Sequence, residues 1–222
     1  MKRKDPLVTG NVYHILNKSI AGYNIFPSDN DYELFIKMIR FFSVDEDLPK
    51  FSRLLPQAES ERKSFEQFLD EKTNNNFLIQ IIAYTVMPTH FHLVVKQLKD
   101  EGISKFSGNI LGSYSRIFNA RHKRRGPLWE SRFKNVPVTT DEQLIHLTRY
   151  THLNARTAGL VEKPEHWKYS SYKEYIEPEK ISYPICKFDD LFDINPSEYR
   201  KFVEDQKDYQ RELARIKKIT LE

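Results

Sequence analysis

Residues 84–96, YTVMPTHFHLVVK, constrain the fold of this chain more than any other stretch. They follow FLIQIIAYT (77–85), so two runs rich in β-branched and aromatic residues are separated only by the Met-Pro turn signal at 86–89, which predicts a β-hairpin. His90 and His92 open the second strand. Side chains alternate along a strand, so both imidazoles are expected on one face, with Phe91 and Leu93 on the other. Two imidazoles side by side make half of a metal site; taken alone, the pair is equally well read as the polar face of a strand.

Around this hairpin the periodicity places further elements. Residues 11–18 (NVYHILNK) read as a first strand closed by Ala21-Gly22. Ser28 or Asp29 is positioned to cap a helix over 30–43, whose broad apolar face should pack on the sheet. Residues 45–76 turn polar, with Pro49 and Pro56 and a helix-compatible run at 60–72, an excursion from the core. A helix is predicted over 103–121, then a basic loop, a short edge strand at 135–139 because of its proline, and a helix from Thr140 or Asp141 to Gly159 with acids in its first turn. A charged helix is predicted at 196–219, packed on the domain or on a second copy of the chain.

The 222 residues suit one domain with an appendage. A hydrophobic fraction of 39% with 13% aromatics excludes a disordered chain. The single cysteine, Cys186, excludes an intrachain disulfide and a Cys-rich zinc site, and suits a reducing compartment. The N-terminal MKRKDPLVTGN has no apolar run behind its basic residues, so neither a signal peptide nor a membrane anchor is expected, and the location expected is the cytoplasm.

Charge is concentrated rather than large. The formal net charge is +4, yet Arg116, Arg121, Lys123, Arg124, Arg125, Arg132 and Lys134 face the single acid Glu130 in one segment. Such a segment neutralises phosphates, and Trp129 or Phe133 within it is a candidate to stack on an unpaired base. The bland alternative is a solvated charged loop.

Tyr150 and Asn154, four residues apart on the helix from 141, share a face. A tyrosine hydroxyl near a divalent cation that polarises a phosphodiester can attack phosphorus. Two imidazoles and the Asn154 amide oxygen are a sufficient ligand set. His14, His146 and His152 read as ordinary surface or supporting residues, Tyr172 and Tyr175 as core, and Trp167 as packed on the helix of Tyr150.

PTHFHLVV resembles the HUH motif (histidine, bulky hydrophobic, histidine) of single-tyrosine transposases, and RYTHLNARTAGLV resembles their helix bearing the nucleophile and a third metal ligand. With YHILN, IFPSDNDYELF, SYSRIFNARHKRRGPLWESRFK and WKYSSYKEY, the resemblance is closest to the REP-associated branch and spans residues 11–176. It implies an α+β fold of ferredoxin or RRM type, a central antiparallel sheet with packed helices; the domain is read as 1–176, with a polar insertion at 45–76 that has no clear family counterpart, and 177–222 as a charged helical extension. It implies an endonuclease and strand transferase on single-stranded or hairpin DNA, with Tyr150 as nucleophile, a 5′-phosphotyrosine intermediate, Mg²⁺ or Mn²⁺ held by His90, His92 and Asn154, and a homodimer in some branches. Where many relatives read Asn-Pro-Val-Arg-Ala-Gly, this chain has Asn154-Ala155-Arg156-Thr157-Ala158-Gly159, which displaces the arginine. The other readings are a DNA- or RNA-binding protein that keeps the fold without catalysis, and a phosphoesterase that uses water.

Overall fold

The computed structural model describes residues 6–61, 63–72 and 76–205. In chain order its elements are β1 (Val12–Lys18), α1 (Asp29–Phe42), α2 (Phe51–Ser60), α3 (Phe65–Lys72), β2 (Ile79–Met87), β3 (His90–Gln97), α4 (Gly102–Arg121), β4 (Lys134–Val138), α5 (Asp141–Thr157), α6 (Tyr172–Ile176) and α7 (Pro196–Glu204). The four strands form one antiparallel sheet in the order β2-β3-β1-β4. This is the ferredoxin-like arrangement expected from the sequence, with an α+β architecture.

Strand alternation sorts the two layers. Phe91, Leu93 and Val95 of β3 and Tyr13 and Ile15 of β1 join Phe35, Ile39, Phe106, Ile110 and Tyr114 of α1 and α4 in the main core. The opposite face carries Val94 with Ile82 and Ala83, covered by Leu144, Leu147 and Tyr150 of α5. The β2–β3 turn is tighter than expected, since β2 runs to Met87 and leaves only Pro88-Thr89 between the strands. Thr140 caps α5 through its hydroxyl, which accepts from the Gln143 amide at 3.1 Å. Ser28 precedes α1 without such a cap and instead donates its hydroxyl to Asp31.

The polar excursion is built into the core. Two helices occupy it, and Phe51, Leu54, Phe65, Phe68 and Leu69 are buried with α1. Arg40–Asp70 and Lys99–Asp45 ion pairs tie it to the core elements.

The C-terminal extension is likewise part of the domain. Residues 167–187 line the outer edge of β2, through Val86 N–H to Tyr169 O at 2.9 Å, Ser171 N–H to Tyr84 O at 3.0 Å and Lys187 N–H to Ile81 O at 2.8 Å. That lining closes one sheet edge to further pairing. Trp167, expected against α5, makes its aromatic contacts on the α1 side of the sheet edge. Its indole donates to Val86 O at 3.1 Å and its ring meets Tyr32 and Tyr169, because this segment runs along β2 toward α1. The expected final helix is observed as α7, packed on the domain; residues 206–219 of that expectation lie outside the described residues. Among the described residues, no helix is long and apolar enough to cross a membrane.

Candidate active site

The sheet register explains how the histidines come to face α5. In β3, His92 pairs with Leu16 of β1, and Val94 with His14. Phe91 points away, meeting Phe35 and Trp129 edge to face or tilted. His90 and His92 therefore share the α5 face with Val94, their rings perpendicular with centroids 5.0 Å apart.

Tyr150 reaches this face because of where α5 begins. β4 ends at Val138, level with Val12 and hence with Lys96, so α5 starts at the far end of β3 and runs back toward His90. The nine helical steps from Asp141 to Tyr150 and the four strand steps from Lys96 to His92 both span about 13 Å. The match brings Tyr150 over His92, with ring centroids 5.6 Å apart and planes at 89°, and over His14 at 6.2 Å. One further turn, about 6 Å, brings Asn154 level with His90.

The four groups differ in exposure. His92 is fully buried and Tyr150 is 3% exposed, whereas His90 and Asn154 are half-buried. The mouth of the site is therefore at the His90–Asn154 end. Burial, and then the charges of His14, His90 and Lys18, hold the His92 imidazole well below its ordinary pKa, so it is neutral at pH 7. Neutral imidazole is the form that ligates metal.

The donor set fits a small divalent cation with a mixed preference. Two imidazoles and an amide oxygen leave room for phosphate and water ligands, and the imidazoles favour Mn²⁺ over Mg²⁺. Among the described residues, the Asn154 side-chain nitrogen is buried without a hydrogen-bond partner. The two ends of an amide are interchangeable in assignment, so that buried end is as readily an oxygen awaiting a cation. Among the described residues, no group of three or more His, Cys, Asp or Glu side chains is arranged to hold a metal ion, so a cation bound here would need the Asn154 amide as its third protein ligand.

His14, expected to be either an ordinary surface residue or a supporting one, is part of this cluster. It is buried, its Nε2 lies 2.9 Å from His92 Nδ1, and the two rings are nearly parallel. Lys18, paired with His90 in the register, is a further group on this face that its sequence context did not single out.

The basic segment divides into three. Arg121 forms an ion pair with Asp31 at 3.0 Å, and Arg124 is engaged by Asn119 Oδ1 and Pro127 O, so both shape the loop. Arg116 lines a separate groove with Phe42, Leu48 and Lys50. Lys123, Arg125, Arg132 and Lys134 are exposed, and Lys134 pairs with Leu16, which pairs with His92, so this strip leads to the site two strands away.

Trp129 corrects the expectation of a base-stacking residue. It is 8% exposed, meets Phe35, Phe91 and Tyr114, and donates its indole N–H to Leu111 O at 3.3 Å. Phe133 is buried in the same core. An apolar aromatic in a charged loop is more strongly driven into the core than held out for a ligand. The exposed aromatic beside the loop is Tyr23, 48% exposed, with the Arg124 guanidinium 5.8 Å from its ring centroid.

Behind the site, α5 is gripped by a buried hydrogen-bond chain. The Tyr84 N–H donates to Ser171 Oγ, which lies 2.8 Å from His152 Nε2; His152 Nδ1 lies 2.7 Å from the Tyr199 hydroxyl, which donates to Thr148 Oγ1. His152 is thus a core residue rather than a surface one, and burial drives its pKa down to about 3. The chain links β2, α5 and α7.

Residues 53–154 match the family model described as transposase, IS200-like. That match spans a little under half of the chain. Among solved structures it is similar to a REP-associated tyrosine transposase bound to a REP hairpin, with a TM-score of 0.51, 12% identity, and coverage of 87% of this chain and 94% of that one. A second structure, from Deinococcus radiodurans R1 and provisionally described as a transposase, matches with a TM-score of 0.36 and 15% identity over 73% of this chain and 96% of that one. Among curated proteins no match is found.

Proposed function

We propose that this chain nicks and rejoins single-stranded DNA next to a hairpin, as a REP-associated type of single-tyrosine transposase. The observation that carries the reading is the meeting of a helix-borne tyrosine, Tyr150, with the His90–His92 face of the sheet. The match of residues 53–154 to the IS200-like transposase model and the fold likeness to a hairpin-bound transposase support DNA as the partner.

In this reading His90, His92 and Asn154 hold Mg²⁺ or Mn²⁺, and the bound cation supplies polarisation of the scissile phosphodiester. The Tyr150 hydroxyl oxygen forms a bond to phosphorus while the bond to the 3′-oxygen breaks. Tyrosine gives up its proton and the leaving oxygen takes one up, so a free 3′-hydroxyl and a 5′-phosphotyrosine result. The new ester keeps the energy of the old one, so attack by another 3′-hydroxyl can rejoin strands without ATP. Burial around Tyr150 and His92 keeps water from competing in that second step. The strand is steered by Lys123, Arg125, Arg132 and Lys134, with Tyr23 as the base-stacking platform. The four catalytic groups come from one chain, so the reading needs no second copy.

The low exposure of Tyr150 favours a second reading, a DNA- or RNA-binding protein that has ceased to cut. Labelled hairpin DNA incubated with the protein and Mn²⁺ separates the two. The proposal expects a denaturant-resistant protein–DNA adduct that is lost in Tyr150→Phe. Salt-sensitive binding with no adduct under any metal would establish the second reading, and cleavage without an adduct would point to a hydrolytic phosphoesterase.

A further inference from the structure

His14 lies on β1 opposite Val94, one pleat along from the Leu16–His92 pair, and so sits diagonally from His92 across the strand boundary. Diagonal neighbours on one face are within reach of aromatic side chains. Here the reach is used for a ring-to-ring hydrogen bond, His14 Nε2 to His92 Nδ1 at 2.9 Å, with both residues buried.

A hydrogen bond between two neutral imidazoles needs one N–H and one bare nitrogen, so it couples their tautomers. The reading of the site above requires a lone pair on His92 for the cation. If His14 donates, the lone pair of His92 Nδ1 is consumed and its Nε2 carries hydrogen, which removes both ligand atoms. If His92 donates from Nδ1, its Nε2 is bare. Only the second arrangement leaves His92 able to bind.

We propose that His14 is a positioning residue for metal binding: it accepts from His92 Nδ1–H, fixes that tautomer and ring orientation, and leaves His92 Nε2 as the ligand atom. The inference rests on the metal-binding reading of His90, His92 and Asn154. An imidazole in place of the carboxylate or carbonyl that commonly fills this supporting role is a weaker acceptor than a carboxylate, but it is neutral and suits a fully buried strand pair.

Two measurements test it. In ¹⁵N-labelled, unsubstituted protein without metal at neutral pH, long-range imidazole spectra should show His92 protonated at Nδ1 and bare at Nε2; the opposite tautomer overturns the inference. Mn²⁺ affinity, read from the free Mn²⁺ electron-paramagnetic-resonance signal, should fall roughly 10- to 100-fold in His14→Leu, the usual cost of losing such a partner. His14→Gln, whose amide oxygen can accept the same hydrogen, should recover most of it. Unfolding midpoints of the metal-free variants report whether they fold, and the spectrum of the unsubstituted protein decides the matter if His14→Leu does not. If the parent binds Mn²⁺ and His92→Ala loses it while His14→Leu does not, the inference alone falls. If the parent does not bind, or His92→Ala binds as the parent does, the metal reading falls and takes the inference with it.

Discussion

The Tyr150 ring stands perpendicular to the His92 ring, 5.6 Å away, with both side chains buried between α5 and β3. The hydroxyl and the ring of Tyr150 therefore have separable jobs. Tyr150→Phe keeps the ring contacts with His14 and His92 and should cost about 0.5–1.5 kcal/mol, the net worth of one hydrogen bond, while abolishing the adduct. Tyr150→Ala removes the ring from the α5 core and should cost about 3–5 kcal/mol, as large-to-small aromatic changes do. Denaturant unfolding of the two variants checks this; equal destabilisation would mean that the hydroxyl, not the ring, anchors α5.

Cation removal should split binding from chemistry. The charges proposed to face DNA lie on the strip from Lys123 to Lys134, whereas the candidate ligands lie across the sheet beneath α5. EDTA is thus expected to eliminate the adduct and leave hairpin binding within about twofold, since phosphate neutralisation by Lys and Arg does not need the cation. Filter binding and adduct gels on the same samples would show it. Loss of binding in parallel with the adduct would place the cation in the DNA interface.

Within the basic segment, charge alone does not predict the effect of mutation. Arg132→Ala and Lys134→Ala should each lower the dependence of log affinity on log salt by about 0.7 for a single strand. Arg124→Ala should act chiefly on stability, because its guanidinium holds Pro127 O and Asn119. Tyr23→Ala should weaken binding by about 1–3 kcal/mol if a base stacks there. Trp129→Ala should lower stability by about 3–5 kcal/mol through its cavity. Salt titrations and unfolding curves on these variants sort the two groups, and a normal salt slope in both Arg132→Ala and Lys134→Ala would remove the strip from the interface.

These contrasts also mark what the sequence could convey. The alternation of His90, Phe91 and His92 settled which face each would take, and the hairpin, α5 and the edge position of β4 followed from local chemistry of proline, caps and periodicity. Register is not local. His14 looked like any strand histidine until its pairing with Val94 put it diagonal to His92. Trp129 and Arg124 are hard to read locally for the opposite reason: their neighbours in sequence are polar, but their partners, Phe35, Phe91 and Pro127, are set by the return of the loop along β1. The insertion reads as polar because α2 and α3 each bury one narrow stripe, which composition averages away.

The buried chain through His152 makes the stability of the site pH-dependent in a defined sense. In the folded protein burial lowers the His152 pKa to about 3, while in the unfolded chain it returns to about 6.5. Below pH 6.5 the unfolded state therefore binds a proton that the folded state does not, and stability falls as pH drops from 6.5 toward 3, approaching tenfold in the folding constant per pH unit. Buried His92 acts in the same direction. His152→Gln is expected to be less stable at pH 7, because the imidazole joins Ser171 to Tyr199, but its loss between pH 7 and pH 5 should be smaller than the parent's by roughly ten- to thirtyfold in the folding constant. Tyr199→Phe removes the donor to Thr148 and the partner of His152 Nδ1 while leaving the titrating group in place; it should cost about 1–3 kcal/mol at pH 7 and keep the parent's acid sensitivity. Because α5 carries both Tyr150 and His152, adduct formation at pH 5 should decline in step with unfolding in the parent and less in His152→Gln. Urea titrations at the two pH values check the stability terms, and an identical pH dependence in parent and His152→Gln would show that this histidine is not the group that titrates.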